Sequence, residues 1–243
     1  MGDQMNSGEC AEVRQRGRGE LMWALAIVLC ALGVCLTAKS GFGVSMVVAP
    51  AYVLHLKLVE ALPFFTFGMA EYALQGVLVL ALALIKKRFC LRYLLTFVTA
   101  VVYGLALDGW RLIFGTEVYS VLFLRIAAVA VGLPVTAFSI ALFLRTYLPQ
   151  EGYELFVKEM AERSNRSVNT VKWIYDVCSL LLAIVLMLCL FGKFSFRMVG
   201  PGTLVMTLVN APLIALFGRF LDARVDFSSA FPKFYDWYVR TMG

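Results

Sequence analysis

Three stretches of the chain carry no charged side chain over the length of a bilayer crossing: Leu21–Ala38, Ile126–Leu144 and Met198–Gly218. A helix needs about 20 predominantly apolar residues to span the hydrocarbon layer, so each predicts a transmembrane helix. Three further stretches reach that length once a single acid is admitted to each. They lie at about 63–85 with Glu71, about 93–113 with Asp108 and about 168–191 with Asp176. The pattern predicts an all-α polytopic membrane protein with six transmembrane helices.

The intervals are not uniform. The stretch GFGVSMVVAPAYVLHLKL at 41–58 is apolar but is broken by Pro50. It is too short to cross, which predicts a re-entrant or interfacial segment. Residues 150–167 place Glu154 with Lys158 and Glu159 with Arg163 at i,i+4, the mark of a solvated helix face lying on the cytoplasmic surface. The tail FPKFYDWYVRTMG mixes aromatic and basic residues, as expected at the headgroup boundary.

Composition closes off other classes. The 243 residues are 61% hydrophobic and 16% charged, with a mean hydropathy of +0.81, so six spans leave nothing for a sizeable soluble domain. The expected organisation is a cytoplasmic head at 1–20, a membrane domain at 21–222 and an interfacial tail at 223–243. The net charge of +6 would suit nucleic acid, but the basic residues sit between apolar runs and read better as topology. With the N-terminus inside, 16 of the 22 lysines and arginines fall on the inner side and 5 on the outer, with Arg125 left within a span. Both termini are therefore expected in the cytoplasm. Arg14, Arg16 and Arg18 before the first run, and Ala38-Lys39-Ser40 after it, also resemble a signal peptide. The run is longer than a usual signal core, and an internal match uses it as a structural unit.

That match comes from sliding the chain on itself. An offset of 99 sets Gly33 on Gly132 and Pro50 on Pro149, and one of 105 sets Glu71 on Asp176, with Tyr72 and Tyr175 beside them. Each half, about 21–113 and about 118–222, would hold a span, a Pro-bearing irregular segment and two more spans. Three crossings per half make the second copy inverted, as in many secondary transporters.

Charges inside spans usually face the bundle interior and mark a site. At 1.5 Å per residue, Glu71, Arg125 and Asp108 fall about 12, 10 and 7 Å below the outer face, so an outward pocket built on an Arg125–Glu71 pair, sharing Asp108, is the expected site. Asp176 lies about 12 Å from the inner face, with Lys172 one turn before it. Gln75 follows Glu71 on the same helical face, and Tyr72, Tyr175 and Asn210 complete the candidate solute- or ion-binding residues; Tyr103 is another polar group at span depth. The only histidine, His55, is expected at the interface. GFGVS at 41–45 and GPGT at 200–203 place glycines near helix starts, where free N–H groups can receive an anion. Neither fits a nucleotide-binding fingerprint. The six cysteines form no CxxC pair and no metal-like spacing with His55, and no nucleophile–base pair is evident. No metal, cofactor or catalytic residue is expected.

The segments GFGVSMVVAPAYVL, TFGMAEYALQ, FVTAVVYGLALD and GPGTLVMTLVNAPLIALFGRFLD together resemble the YczE/YyaS-type integral membrane proteins of bacteria, a group related to the YitT proteins. The resemblance covers about residues 21–222 and implies a bacterial inner-membrane protein with a loose link to transport. It carries over no site residues. The leading expectation is thus a small secondary transporter or exporter of a small polar or anionic solute, with a homodimer as one assembly. The alternatives are a substrate-binding membrane subunit similar to the S-components of ATPase-driven importers, and a membrane scaffold without transport.

Overall fold

The computed structural model describes residues 19–87 and 90–225, the side chain at 169 excepted. The head before residue 19, with its three arginines, and the aromatic tail after 225 lie outside the described residues. Within them the chain forms eight helices and no strand: α1 (Gly19–Ser40), α2 (Ala49–Ala61), α3 (Phe67–Lys86), α4 (Leu91–Phe114), α5 (Leu122–Phe143), α6 (Gly152–Ser164), α7 (Val168–Phe191) and α8 (Pro201–Asp222). All but α2 and α6 are long and apolar enough to cross a membrane. The chain is a multi-pass membrane protein whose six spans fall where the apolar runs predict them.

Local chemistry sets the ends. Thr66 opens α3 by accepting a hydrogen bond from the Met69 N–H at 3.1 Å, and Ser167 opens α7 by accepting from Thr170 N–H at 3.2 Å. Each satisfies a donor that the first helical turn leaves orphaned. Pro50 and Pro201 stand in the first turns of α2 and α8, where a missing N–H costs nothing. Gly192 closes α7 at φ 66°, a left-handed conformation that glycine adopts without penalty.

Helix α1 lies at the centre, packed along α4 and α5. Its crossing with α5 is close because both helices put a glycine there. A Cβ on Gly33 would stand 2.8 Å from the Gly132 carbonyl oxygen, and one on Gly132 would stand 3.0 Å from that of Gly33. Small residues at such crossings let backbones approach within van der Waals range in lipid. Gly68 and Gly104 do the same for α3 and α4, where a Cβ on Gly104 would meet the Gly68 carbonyl oxygen at 2.7 Å. The outward faces expose Leu80, Leu105, Val185 and Leu208, an apolar belt that lipid, and not water, accommodates.

The two short helices bridge the halves of the chain: α2 packs on α3 and α7, and α6 packs on α7, α3 and α4. Both are buried where they begin and exposed where they end. For α6 this corrects the expectation of a solvated surface helix. Tyr153, Leu155, Val157 and Ala161 are buried, and its carboxylates reach across to other helices. Glu154 accepts from Lys172 of α7 at 3.1 Å, while buried Glu159 pairs with Lys86 of α3 and lies 3.8 Å from Arg92 of α4. Charges spaced to pair along one helix instead pin that helix to three others.

Candidate functional site

Among the described residues α3 packs along α4, whereas the α7 and α8 backbones do not approach closely. A cavity of about 150 Å³ fills the space left, between α1, α5, α7 and α8. Two connectors line it as well, Ser45–Val48 before α2 and Gln150–Glu154 at the start of α6. Its walls are largely aliphatic, and the polar groups concentrate on Gln150, Glu151, Glu154, Lys172, Asp176, Thr207 and Asn210.

Much of this polar set is unsatisfied. Oε1 of Gln150, Oε1 of Glu151 and Oδ1 of Asn210 are buried without a hydrogen-bond partner in the protein, and Oδ1 of Asp176 has only the more distant Lys172. Gln150 donates its Nε2 to the Phe143 carbonyl at 3.1 Å, which fixes which end of the amide is the free acceptor. Lys172 donates to Glu154 and stands 3.9 Å from Asp176. Buried polar atoms are nearly always paired, so three orphaned oxygens on residues that line one cavity are a strong departure. Burial, with Glu154 adding to it, pushes the Glu151 carboxyl up to about 7.

A second polar layer lies behind Tyr153. Its hydroxyl donates to Glu71 Oε2 at 2.7 Å, and Gly152 N–H donates to Gln75 Oε1 at 2.8 Å. Glu71 and Gln75 are both fully buried, one helical turn apart on α3. Tyr153 also lines the cavity, so one side chain links the α3 carboxyl to the open space. Tyr175 stacks obliquely on Tyr153 and Phe156 and supports that link from α7. Of the candidates read from sequence, Glu71, Gln75, Tyr175, Asp176 and Asn210 thus gather on or beside one cavity.

Arg125 and Asp108 do not join them, and the expected Arg125–Glu71 pair is not formed. Arg125 donates from Nε to the Ser40 carbonyl at 2.5 Å and from Nη2 to that of Gly41 at 3.1 Å, and its guanidinium lies 4.4 Å over the Phe42 ring. The last carbonyls of a helix have no partner within it and carry its negative end, so an arginine in the first turn of α5 caps the end of α1. Asp108 accepts from Thr66 Oγ1 at 2.5 Å and from Gly68 N–H at 2.9 Å, which places a carboxylate on the positive end of α3. Tyr72 packs against Gly104 on the α4 side. His55 is buried against its neighbours at 5% exposure. Its Nδ1 bonds the Phe65 carbonyl at 3.0 Å and its Nε2 meets Arg111 Nη1 at 2.9 Å.

The two glycine segments, better read as turns than as anion sites, have their N–H groups taken within the protein. Val44 N–H bonds the Met198 carbonyl, Gly202 N–H the Phe42 carbonyl and Gly200 N–H the Thr203 hydroxyl. The two segments satisfy each other and splice the connector before α2 to the start of α8.

Residues 17–219 match a family described as "Family of unknown function (DUF6198)". The chain belongs to that family. The DUF6198 match runs from the start of α1 to the last turn of α8 and takes in every residue that lines the cavity. No curated protein and no solved structure matches. Sequence reasoning missed Gln150, Glu151, Tyr153 and Glu154 of this DUF6198 chain as site residues. The one hint was Pro149 falling on Pro50 in the internal match.

Proposed function

We propose that this protein is a small secondary transporter of the bacterial inner membrane, not an enzyme, and that its solute crosses by way of the cavity between α7 and α8. The observation that carries the reading is that cavity: set between spans and two connectors, largely apolar, and lined by residues whose buried oxygens lack a full set of partners in the protein. A polar-lined hollow of this kind, with room for water or a small solute, has an evident use in a transporter and none in a scaffold.

An inverted repeat supports alternating access. Both halves run span, short helix, span, span. Gly33 and Gly132, which the repeat makes equivalent, touch each other at the α1–α5 crossing, as residues on a pseudo-two-fold axis must. The halves differ in one respect: α3 is closed on α4, and α7 stands apart from α8. In this reading the two pairs exchange roles during the cycle. Cytoplasmic termini follow from the distribution of basic residues, and the resemblance to YczE/YyaS-type proteins agrees with a bacterial inner membrane. The importer-subunit alternative relied on an outward cluster of Glu71, Asp108 and Arg125, which does not assemble.

The test is solute flux by the purified protein in liposomes under imposed ion gradients. Flux is expected from the protein alone, and Glu71→Gln and Asp176→Asn are expected to reduce it while leaving the protein folded. Absence of gradient-driven flux, together with copurification of an ATPase-driven module, would overturn the reading in favour of the subunit.

A further inference from the structure

We infer that the cavity takes a small amphipathic amine, a solute with an ammonium group on an apolar body of roughly benzene size, and that Glu151, Asp176, Gln150 and Asn210 receive the ammonium. This rests on the transporter reading for its purpose but not for its chemistry. Four residues that line the cavity, Gln150 and Glu151 just before α6, Asp176 of α7 and Asn210 of α8, each carry a buried acceptor oxygen without a hydrogen-bond partner in the protein, and only that of Asp176 has a cation near it, Lys172 at 3.9 Å. Gln150 is decisive, because it is 9% exposed, its amide orientation is fixed by the Phe143 carbonyl, and its oxygen still has no partner. A group that donates several hydrogen bonds and accepts none satisfies such a set, and an ammonium has three donors.

Charge points the same way. Three carboxyl groups line the cavity, Glu151, Glu154 and Asp176, against one cation, Lys172, already committed to Glu154 and near Asp176. An anion would meet acceptors and like charge, with Lys172 already engaged. With Glu151 held near 7 by burial and its neighbour Glu154, the empty site is spared some of the cost of an unpaired charge. The rest of the wall fixes the body of the solute: Val34, Ile140, Phe143, Met206 and Ile214 are apolar. A cavity of about 150 Å³ admits a benzene-sized group.

Isothermal titration of the full-length protein in detergent micelles with benzylammonium, benzyl alcohol and benzoate, three probes of one shape and different charge, tests the inference. Benzylammonium is expected to bind and benzoate not. Glu151→Gln and Asp176→Asn should each weaken benzylammonium about tenfold, the size of one charge-assisted hydrogen bond. Asn210→Asp, which adds a carboxylate, should tighten it, and this gain cannot come from misfolding. Binding of benzoate as tight as benzylammonium, binding of none of the three, or an unchanged affinity in folded Asn210→Asp overturns the inference. Benzylammonium binding without flux in liposomes would defeat the transporter reading and leave this one standing. Gradient-driven flux of an anion, with no benzylammonium binding, would do the reverse.

Discussion

Replacing Asp108 separates a structural carboxylate from a binding one. Its oxygens accept from Gly68 N–H and from the Thr66 hydroxyl, and that hydroxyl itself accepts from Met69 N–H, so three donors at the start of α3 hang on one side chain of α4. Hydrogen bonds to charged groups contribute about 1.5–3 kcal/mol each in soluble proteins, whereas interhelical bonds in membranes average about 0.6 kcal/mol. Asp108 is half-buried near the end of its span, so two such bonds at the end of a helix dipole come to about 2 kcal/mol. Asp108→Ala should lower the free energy of unfolding by that amount in a denaturing-detergent titration. Asp108→Asn, which keeps one acceptor, should cost about half as much. A cycle with Thr66→Ala should show strong coupling, because both changes break the same network. Binding of solute to the folded variants should be unaffected. If Asp108→Ala unfolds like the parent protein yet loses binding, Asp108 belongs to the site and the capping argument fails.

Arg125→Gln should destabilise by about 2 kcal/mol, since the Ser40 and Gly41 carbonyls lose a forked, charged donor, and Arg125→Lys should recover only part of this in the same titration. Gly33→Leu should abolish the folded state or its yield, because a Cβ there already meets Gly132 backbone at 2.8 Å, whereas Gly109→Ala, where a Cβ meets nothing within 4 Å, should be silent by size-exclusion chromatography. Acid should weaken the protein through His55, which burial and Arg111 hold down at about 4 against an ordinary 6.5. The unfolded chain takes up that proton first, so stability is intact above pH 6.5 and falls by about 3 kcal/mol on the way to pH 4. His55→Gln should flatten that part of the profile.

The spans were legible in the sequence because lipid imposes a one-dimensional rule: a run of apolar residues of sufficient length is a crossing. Leu122–Phe143 and Pro201–Asp222 lie within a few residues of their predicted limits for that reason. The site obeys a different rule. Depth along a helix can be counted from sequence, and it put Glu71 and Arg125 at similar levels; which helices stand side by side cannot. Arg125 found backbone carbonyls at the end of α1, partners that carry no signature in the residue string. Glu151 and Gln150 were overlooked because the i,i+4 charges that follow them read as a surface, when those charges tie α6 into the bundle.

The same disposition explains why the cavity is rich in acceptors. Away from it, cations are consumed by backbone carbonyls: Lys39 by those of Gly115 and Glu117, Arg125 by those of Ser40 and Gly41, Arg163 by that of Ile85 at the end of α3. Arg145 binds Asp222 and the Ala141 carbonyl. Each is a local solution to the negative end of a helix or to a single acid. Carboxyl groups at helix N-termini differ in what they gain: among the described residues Asp108 accepts a backbone N–H at the start of α3, whereas Glu151 sits at the N-cap of α6 without a side-chain cap bond. What is left over between α7 and α8 is a surplus of oxygens beside a mostly hydrocarbon wall, and that surplus is what the proposed ammonium would meet.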